Sequence, residues 1–270
     1  MTLNLVKKEL SDIDYKIFTF PDGEIQIELL SDIKDSIVDI ECRITCANDL
    51  FILLQVCDIL KRMEILFSIE VYYFMGMRMD RVMSINRPYT LKLLHTIIEN
   101  LNPVYFHILH PHSRKYYINE SSEAYLITFL RTHLKQNTYV VFPDQGAVNR
   151  YTNFFNSYFP NTRFIAAEKV RELGTGKILY YDIVQDTNDT FNELLVLDDL
   201  CDGGNTFRLL ANSLRNKYPD KKLRIFVTHM VNPKGIETLS EYYDEVYFTN
   251  SYKDWDNLPD NVTMIDLWKN

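Results

Sequence analysis

Apolar and polar positions along the chain follow two rhythms, and the switches between them mark the elements. Residues 15–29 alternate with period two on either side of Phe20-Pro21-Asp22-Gly23-Glu24, which predicts strand, turn and strand. Residues 36–44 predict another strand. From Asp49 to Met63 apolar residues recur at helical spacing, with Asp49 near the helix start. Ile65 to Phe74 is an apolar, β-rich run of the kind found in strands covered on both faces. Tyr89 to Asn100 predicts a helix, Val104 to Leu109 a strand and residues 121–134 a helix. A second cycle then begins. It has strands at Thr138–Phe142, Thr162–Ala167, Ile178–Val184, Glu193–Leu197, Leu223–His229 and Glu245–Thr249, with helices from Ala147 to Tyr158 and from Phe207 onward. Strands alternating with helices predict an α/β protein with mostly parallel sheets. The two cycles share a rhythm, so two domains are expected, at 1–133 and 134–270.

Chemistry concentrates at the stretch Leu195-Val-Leu-Asp198-Asp199-Leu-Cys-Asp202-Gly203-Gly204-Asn205-Thr206. It puts two adjacent carboxylates at the carboxyl end of a strand and a short turn before a helix. Open α/β sheets bind ligands at that edge. Loop N–H groups and a helix N-terminus hold phosphate, and two carboxylates can accept hydrogen bonds from sugar hydroxyls. The combination points to a ribose phosphate. The plainer alternative is an acidic connecting turn in which Asp202 caps the helix.

The 270 residues carry a net charge of −8, with 46 % hydrophobic and 24 % charged residues, which describes a globular chain with a substantial core. No long basic run supports nucleic-acid binding. No signal peptide or membrane span is expected. Cys42, Cys46, Cys57 and Cys201 lack zinc-type spacing and are expected as reduced thiols, in keeping with a cytoplasmic protein.

Other segments hold candidate groups. Asp144, in Pro143-Asp144-Gln145-Gly146, is open to two readings, Mg²⁺ ligand or helix cap. His107, His110 and His112 cluster near a strand end, but period-two alternation sends His107 and His110 to opposite faces, which argues against a three-histidine zinc site. Arg78-Met79-Asp80-Arg81 could grip triphosphate oxygens or form a salt-bridged turn. Lys169-Val170-Arg171 could stabilise transferring phosphate or be a surface turn. Gly174-Thr-Gly176-Lys177 fails as a Walker A loop, because Arg171 and Ile178 stand where Gly and Ser or Thr are required. Asp198–Leu209 fails as a calcium loop, with Leu200 and Leu209 at ligand positions.

These fragments, in this order, resemble the ribose-phosphate diphosphokinase (PRPP synthetase) family from about Phe18 to the C-terminus. Phe20-Pro-Asp22-Gly23-Glu24 is similar to its Phe-Ser-Asp-Gly-Glu, Arg78-Met79-Asp80-Arg81 to its Arg-Gln-Asp-Arg and Leu109-His110 to its Asp-Leu-His. Pro143-Asp144-Gln-Gly146 with Arg150 is similar to its Pro-Asp-x-Gly segment, Lys169-Val-Arg171 to its Lys-x-Arg, and the acid-pair loop to its PRPP loop. The resemblance implies two phosphoribosyltransferase-like domains, each a mostly parallel sheet flanked by helices, with the active site between them. It implies ATP as co-substrate, bound through Phe20, Asp22, Glu24, Arg78, Asp80 and Arg81. Mg²⁺ would sit at His110 and Asp144, with Lys169 and Arg171 on the transferring diphosphate. Asp198 and Asp199 would bind ribose hydroxyls, and Asp202, Gly203, Gly204, Asn205 and Thr206 the 5-phosphate. Adenine read by a neighbouring subunit would require a homo-oligomer.

Departures from the family pattern bear on the substrate. Ile108 replaces an acid and Met79 a polar residue. The chain before Phe20 is short, so an initial strand and helix are expected to be trimmed. Gly203 stands in place of Thr and Asn205 in place of Gly, which removes a hydroxyl and alters the phosphate contacts. The acceptor implied is ribose 5-phosphate or, through the altered loop, ADP-ribose. A PRPP-consuming phosphoribosyltransferase and a non-catalytic regulatory subunit are the alternatives.

Overall fold

The computed structural model describes residues 1–113, 123–172, 178–183 and 191–269; the Gly174–Lys177 segment lies outside them. The chain divides into two compact units, Met1–Ser122 and Glu123–Asn270.

The first unit contains strand β1 (Thr2–Asn4), a 3-10 turn (Lys8–Leu10), strands β2 (Tyr15–Thr19), β3 (Ile25–Leu29) and β4 (Ile37–Ile44), helix α1 (Ala47–Arg62), strand β5 (Leu66–Phe74), helix α2 (Thr90–Leu101) and strand β6 (Tyr105–Ile108). Its sheet is parallel with order β1-β4-β5-β6, and β2 and β3 form a separate antiparallel hairpin. An initial strand is therefore present, in β1, and the 3-10 turn is the helical element between it and the hairpin. The helix α1 begins where Asp49 accepts from the N–H of Thr45 and of Cys46, satisfying donors at the helix start. It turns Leu53, Val56, Cys57 and Leu60 inward at helical spacing.

The second unit continues with α3 (Ala124–His133), β7 (Thr138–Phe142), α4 (Gln145–Tyr158), β8 (Arg163–Arg171), β9 (Ile178–Ile183), β10 (Glu193–Cys201), α5 (Asn205–Lys217), β11 (Lys222–Met230), α6 (Pro233–Tyr242), β12 (Glu245–Thr249) and β13 (Val262–Ile265). The helix α3, which the sequence division at residue 134 puts in the first domain, packs in the second unit. Its Leu126, Phe129 and Leu130 join a core with Phe155 and Phe226, because that is where its apolar stripe finds a matching face.

The seven-stranded sheet runs β13-β12-β11-β10-β7-β8-β9, and every pairing is parallel except β8 with β9. Both faces are covered, one by a core that includes Leu210 and Leu214 of α5 and Leu239 of α6, the other by α3 and α4. This explains why the strands read as continuous apolar runs. From β7 the chain moves outward through β8 and β9, then returns to place β10 on the other side of β7. Strand order thus reverses between β7 and β10, and the crevice beyond their carboxyl ends is where such sheets bind ligands. Two helices start at this edge, α4 after β7 and α5 after β10, and bring two helix N-termini to it.

Strand β8 runs past the Ala167 end expected from the sequence. Residues 163–166 pair with β7, and residues 167–171 pair with β9, so Lys169 and Arg171 stand on a two-stranded arm rather than in a turn. Strand β10 likewise continues through Asp198 and Asp199 to Cys201, held by its ladder with β11.

Candidate active site

The switch point of the second unit gathers the acidic and basic groups singled out from the sequence. In β10, Asp198 and Asp199 share one counter-ion, Arg150 of α4. Arg150 Nη1 bonds Asp199 Oδ1 and lies 3.4 Å from Asp198 Oδ1, while the N–H of Asp199 donates to Asp198 Oδ1 at 2.9 Å. The three side chains are 12 % (Arg150), 17 % (Asp198) and 3 % (Asp199) exposed. Burial, and then the charge of Asp199, push the Asp198 carboxyl well above the usual carboxylate range, with Arg150 pulling the other way. Burial also works against the Arg150 charge, but the two carboxylates outweigh it and hold the guanidinium protonated. Beside the pair, the Tyr125 hydroxyl of α3 and the Thr228 hydroxyl of β11 are 3.1 Å apart.

Asp144 stands at the start of α4, as its helix-cap reading requires. It caps α4, accepting from the Ala147 N–H at 2.9 Å, and it receives Lys169 Nζ at 2.5 Å. Burial pushes its carboxyl up, but the Lys169 hydrogen bond, the Ala147 N–H and the charges of Lys169 and Arg150 outweigh that and hold it below the usual range. The Lys169 side chain therefore bridges from the β8–β9 arm to the end of β7. Arg171 is exposed near the tip of the same arm.

The loop after β10 is shaped by α6. The Asp202 carboxylate accepts from Asn232 Nδ2 at 3.0 Å, and the Gly203 carbonyl accepts from Thr238 Oγ1 at 3.2 Å. Gly204 is in the left-handed region at φ 77°, and a Cβ there would lie 2.8 Å from Thr238 Cβ, so glycine is required twice over. A Cβ on Gly203 would meet nothing within 4 Å. Asn205 and Thr206 open α5. Asn205 Oδ1 accepts from Arg208 Nε at 3.2 Å and from Nη2 at 2.8 Å, which fixes a guanidinium on the first turn. The arrangement supplies backbone donors, a helix N-terminus and a cation on one side of the acid pair, and an ammonium on the other. That suits a ligand carrying both hydroxyls and phosphate.

In the first unit, Phe20, Asp22 and Glu24 form the exposed turn of the β2–β3 hairpin. The N–H of Glu24 donates to Asp22 Oδ1 at 3.1 Å, Gly23 takes φ 93°, and the Phe18 and Phe20 rings meet edge to face at 5.2 Å. Arg78 and Arg81 are exposed and Asp80 is half-buried in the segment between β5 and α2. His110 follows β6 with φ 43° and is buried, and Ile108 is buried in β6. His107 is buried on the strand, with Nδ1 3.3 Å from Glu70 Oε1. Among the described residues no group of three His, Cys, Asp or Glu side chains could hold a metal ion, and no helix is long and apolar enough to cross a membrane.

Arg150, Tyr125, Thr228, Asn232, Gly235 and Arg208 enter the site with no role read for them from the sequence. Arg150 had a legible signal. It occupies a position in the stripe Ala147, Tyr151, Phe154, Phe155 that α4 buries, and a cation there requires a buried anion. Tyr125, Thr228, Asn232 and Gly235 depend on contacts between distant elements, and Arg208 on Asn205, three residues before it in α5.

No family model matches the chain, and no curated protein matches it. Among solved structures, the phosphoribosylpyrophosphate synthetase from Mycobacterium smegmatis is similar over 96 % of this chain and 88 % of that one, with a TM-score of 0.75 and 18 % identity. The xanthine-guanine-hypoxanthine phosphoribosyltransferase of Helicobacter pylori covers 53 % of this chain and 89 % of its own, with a TM-score of 0.35 and 18 % identity. The chain has a PRPP synthetase-like fold, in the α/β class with mostly parallel sheets expected from the sequence.

Proposed function

We propose that the protein transfers the β,γ-diphosphate of ATP to the anomeric hydroxyl of a ribose-5-phosphate moiety, releasing AMP. The observation that carries this reading is the buried acid pair Asp198–Asp199 with Arg150 at the switch point, next to a loop that opens a helix and to the Asp144–Lys169 pair. Asp198 and Asp199 accept from ribose hydroxyls. The loop from Asp202 to Thr206 takes the 5-phosphate on its N–H groups. Lys169 and Arg171 meet the charge that develops on the transferring diphosphate. Positioning supplies most of the acceleration in such a transfer.

ATP enters as its magnesium complex. The ion screens phosphate charge and keeps phosphate and water oxygens as most of its ligands. Asp144 is the proposed protein contact in the second unit, and His110 is proposed separately as an ion contact of the first. Lys169 already neutralises Asp144, so the carboxylate becomes available when Lys169 turns to phosphate. Phe20, Asp22, Glu24, Arg78, Asp80 and Arg81 are proposed to bind the nucleotide, with the hairpin reading adenine in a homo-oligomer.

The acceptor is ribose 5-phosphate or ADP-ribose. The open space at Gly203 supports the larger one. The test is AMP formation from Mg-ATP with each acceptor in turn, with product masses read in the same assay. Diphosphate added to either supports the reading and identifies the substrate. AMP from neither, with a folded sample, refutes it and favours a PRPP-consuming transferase or a regulatory subunit.

A further inference from the structure

Tyr181 lies in β9 directly opposite Lys169 of β8 in the antiparallel ladder. Directly opposed residues of such a pair project from the same face, and Lys169 reaches Asp144 from that face. The strand is held there by α5, whose Ser213 Oγ accepts from the Tyr181 N–H at 3.1 Å. The Tyr181 ring belongs to the core beneath α5 and is 2 % exposed, yet its hydroxyl is buried with no hydrogen-bond partner among the described residues. The neighbouring core phenol Tyr243 differs, donating to the Phe207 carbonyl at 2.9 Å. A buried hydroxyl left without a partner is costly, and folded proteins rarely leave one.

The surroundings say what the missing partner is. Burial first, then the charges of Asp144 and Asp198, push the phenol pKa up, and Arg171 only partly offsets them. The group stays protonated at neutral pH and has a proton to donate. Neither carboxylate takes that proton in this geometry, although both lie close enough to act on the phenol. Tyr181 shares its face of the arm with Lys169, which reaches Asp144, so the partner to look for is an acceptor oxygen that arrives beside the Lys169–Asp144 pair.

We infer that Tyr181 is a ligand-binding residue whose phenol donates a hydrogen bond to a sugar oxygen of the ribose phosphate held beside the Lys169–Asp144 pair. This rests on the ribose-phosphate reading proposed above and adds a contact on the arm that carries Lys169. It also gives the arm a reason to be rigid at its base, since β9 must deliver the hydroxyl to a fixed point while Arg171 lies further out.

The test is Tyr181→Phe, which keeps the ring in the core and removes only the hydroxyl. Without ligand, the thermal midpoint of the variant is expected to equal or exceed that of the wild type, because a buried donor with no partner has been deleted. Its affinity for the accepted sugar phosphate is expected to fall about ten-fold, the size of one hydrogen bond, with KM for Mg-ATP unchanged. Inorganic pyrophosphate serves as a probe without sugar and is expected to bind both proteins alike. Equal binding of the sugar phosphate by variant and wild type overturns the Tyr181 inference alone. A lower midpoint without ligand, with binding intact, shows a structural hydroxyl and overturns it too. Weakened pyrophosphate binding moves the acceptor oxygen to the phosphate and overturns the sugar assignment. If the wild type binds none of ribose 5-phosphate, ADP-ribose and PRPP, the ribose-phosphate reading itself falls, and this inference with it.

Discussion

Replacing Arg150 by Met removes one cation from a place where two carboxylates depend on it. Met matches the length and apolar character of the arginine stem, so the α4 stripe of Ala147, Tyr151 and Phe154 stays filled. What is lost is the charge beside Asp199, 3 % exposed, and Asp198, 17 % exposed. Breaking a buried ion pair by deleting one partner costs about 3–5 kcal/mol. Two adjacent carboxylates share this guanidinium, so the upper half of that range is expected. At about 2–4 °C per kcal/mol for a unit of this size, the thermal midpoint should fall by about 8–20 °C.

The pH dependence has a definite sign. The Asp198 carboxyl is raised in the folded state, so its contribution to stability is fully present below the ordinary carboxylate pKa and is lost as pH rises through the folded value. Without Arg150 that folded value rises further. The deficit of Arg150→Met should be largest at neutral pH and above and should shrink as the solution is acidified. The assay is thermal unfolding of wild type, Arg150→Met, Asp199→Asn and the double variant across that range. Asp199→Asn in the Arg150→Met background removes one stranded charge and should recover more than half of the loss. A midpoint for Arg150→Met within about 1 kcal/mol of wild type, or a coupling energy below about 0.5 kcal/mol in the double-mutant cycle, would refute the shared-counter-ion account.

Two further changes probe the neighbouring parts of the site. Gly235→Ala puts a Cβ 2.1 Å from the Asp202 carbonyl oxygen, so it should displace the phosphate loop, cost about 1–3 kcal/mol and abolish stabilisation by ribose phosphates; an unchanged midpoint and ligand response would remove the α6–loop contact from the argument. The Asp144 carboxyl is held low largely through Lys169, so its stabilising contribution is present above the ordinary carboxylate pKa and is lost as pH falls through the folded value. Lys169→Met should raise the Asp144 midpoint in a carboxyl-carbon NMR titration and abolish AMP formation, and an unmoved midpoint would mean that the bridge does not form in solution.

The parts of the fold legible in the sequence are those whose residues answer to one environment. Strand β7, Thr-Tyr-Val-Val-Phe, is buried throughout and reads as a strand at sight. The stretch Lys169–Arg171 does not, because its strand conformation comes from β9, a partner that local polarity cannot reveal. Helix α6 carries start signals, since the Asn232 side chain accepts from the Lys234 N–H and Pro233 stands at the first position, yet Gly235 in its interior weakens the helical pattern. Arg224 teaches the same lesson as Arg150. It is a cation inside an apolar strand, 1 % exposed, and it is matched by Glu193 at 2.6 Å from the next strand. In both cases the charge in an apolar stripe was visible, but its partner was a matter of topology.

The same division between backbone and side chain accounts for the departures at Gly203 and Asn205. The path of the loop is set by α6: Asn232 holds Asp202, Thr238 holds the Gly203 carbonyl, Gly235 permits the close approach and Gly204 permits the positive φ. None of these constraints involves a side chain at 203 or 205, so both positions can change while the N–H groups of the loop stay in place. The changes are not equivalent. Gly203 leaves open space where a side chain would project. Asn205 uses its carbonyl oxygen to orient Arg208 on the first turn of α5. A hydroxyl donor absent from one side of the loop is thus accompanied by a guanidinium fixed on the helix beside it. An anion meeting this loop finds the helix N-terminus and a delocalised cation with several donors, which tolerates a wider range of phosphate geometries than a single hydroxyl does. On the function proposed above, the backbone of the loop is what holds the phosphate, and positions 203 and 205 decide how much else can be attached to it.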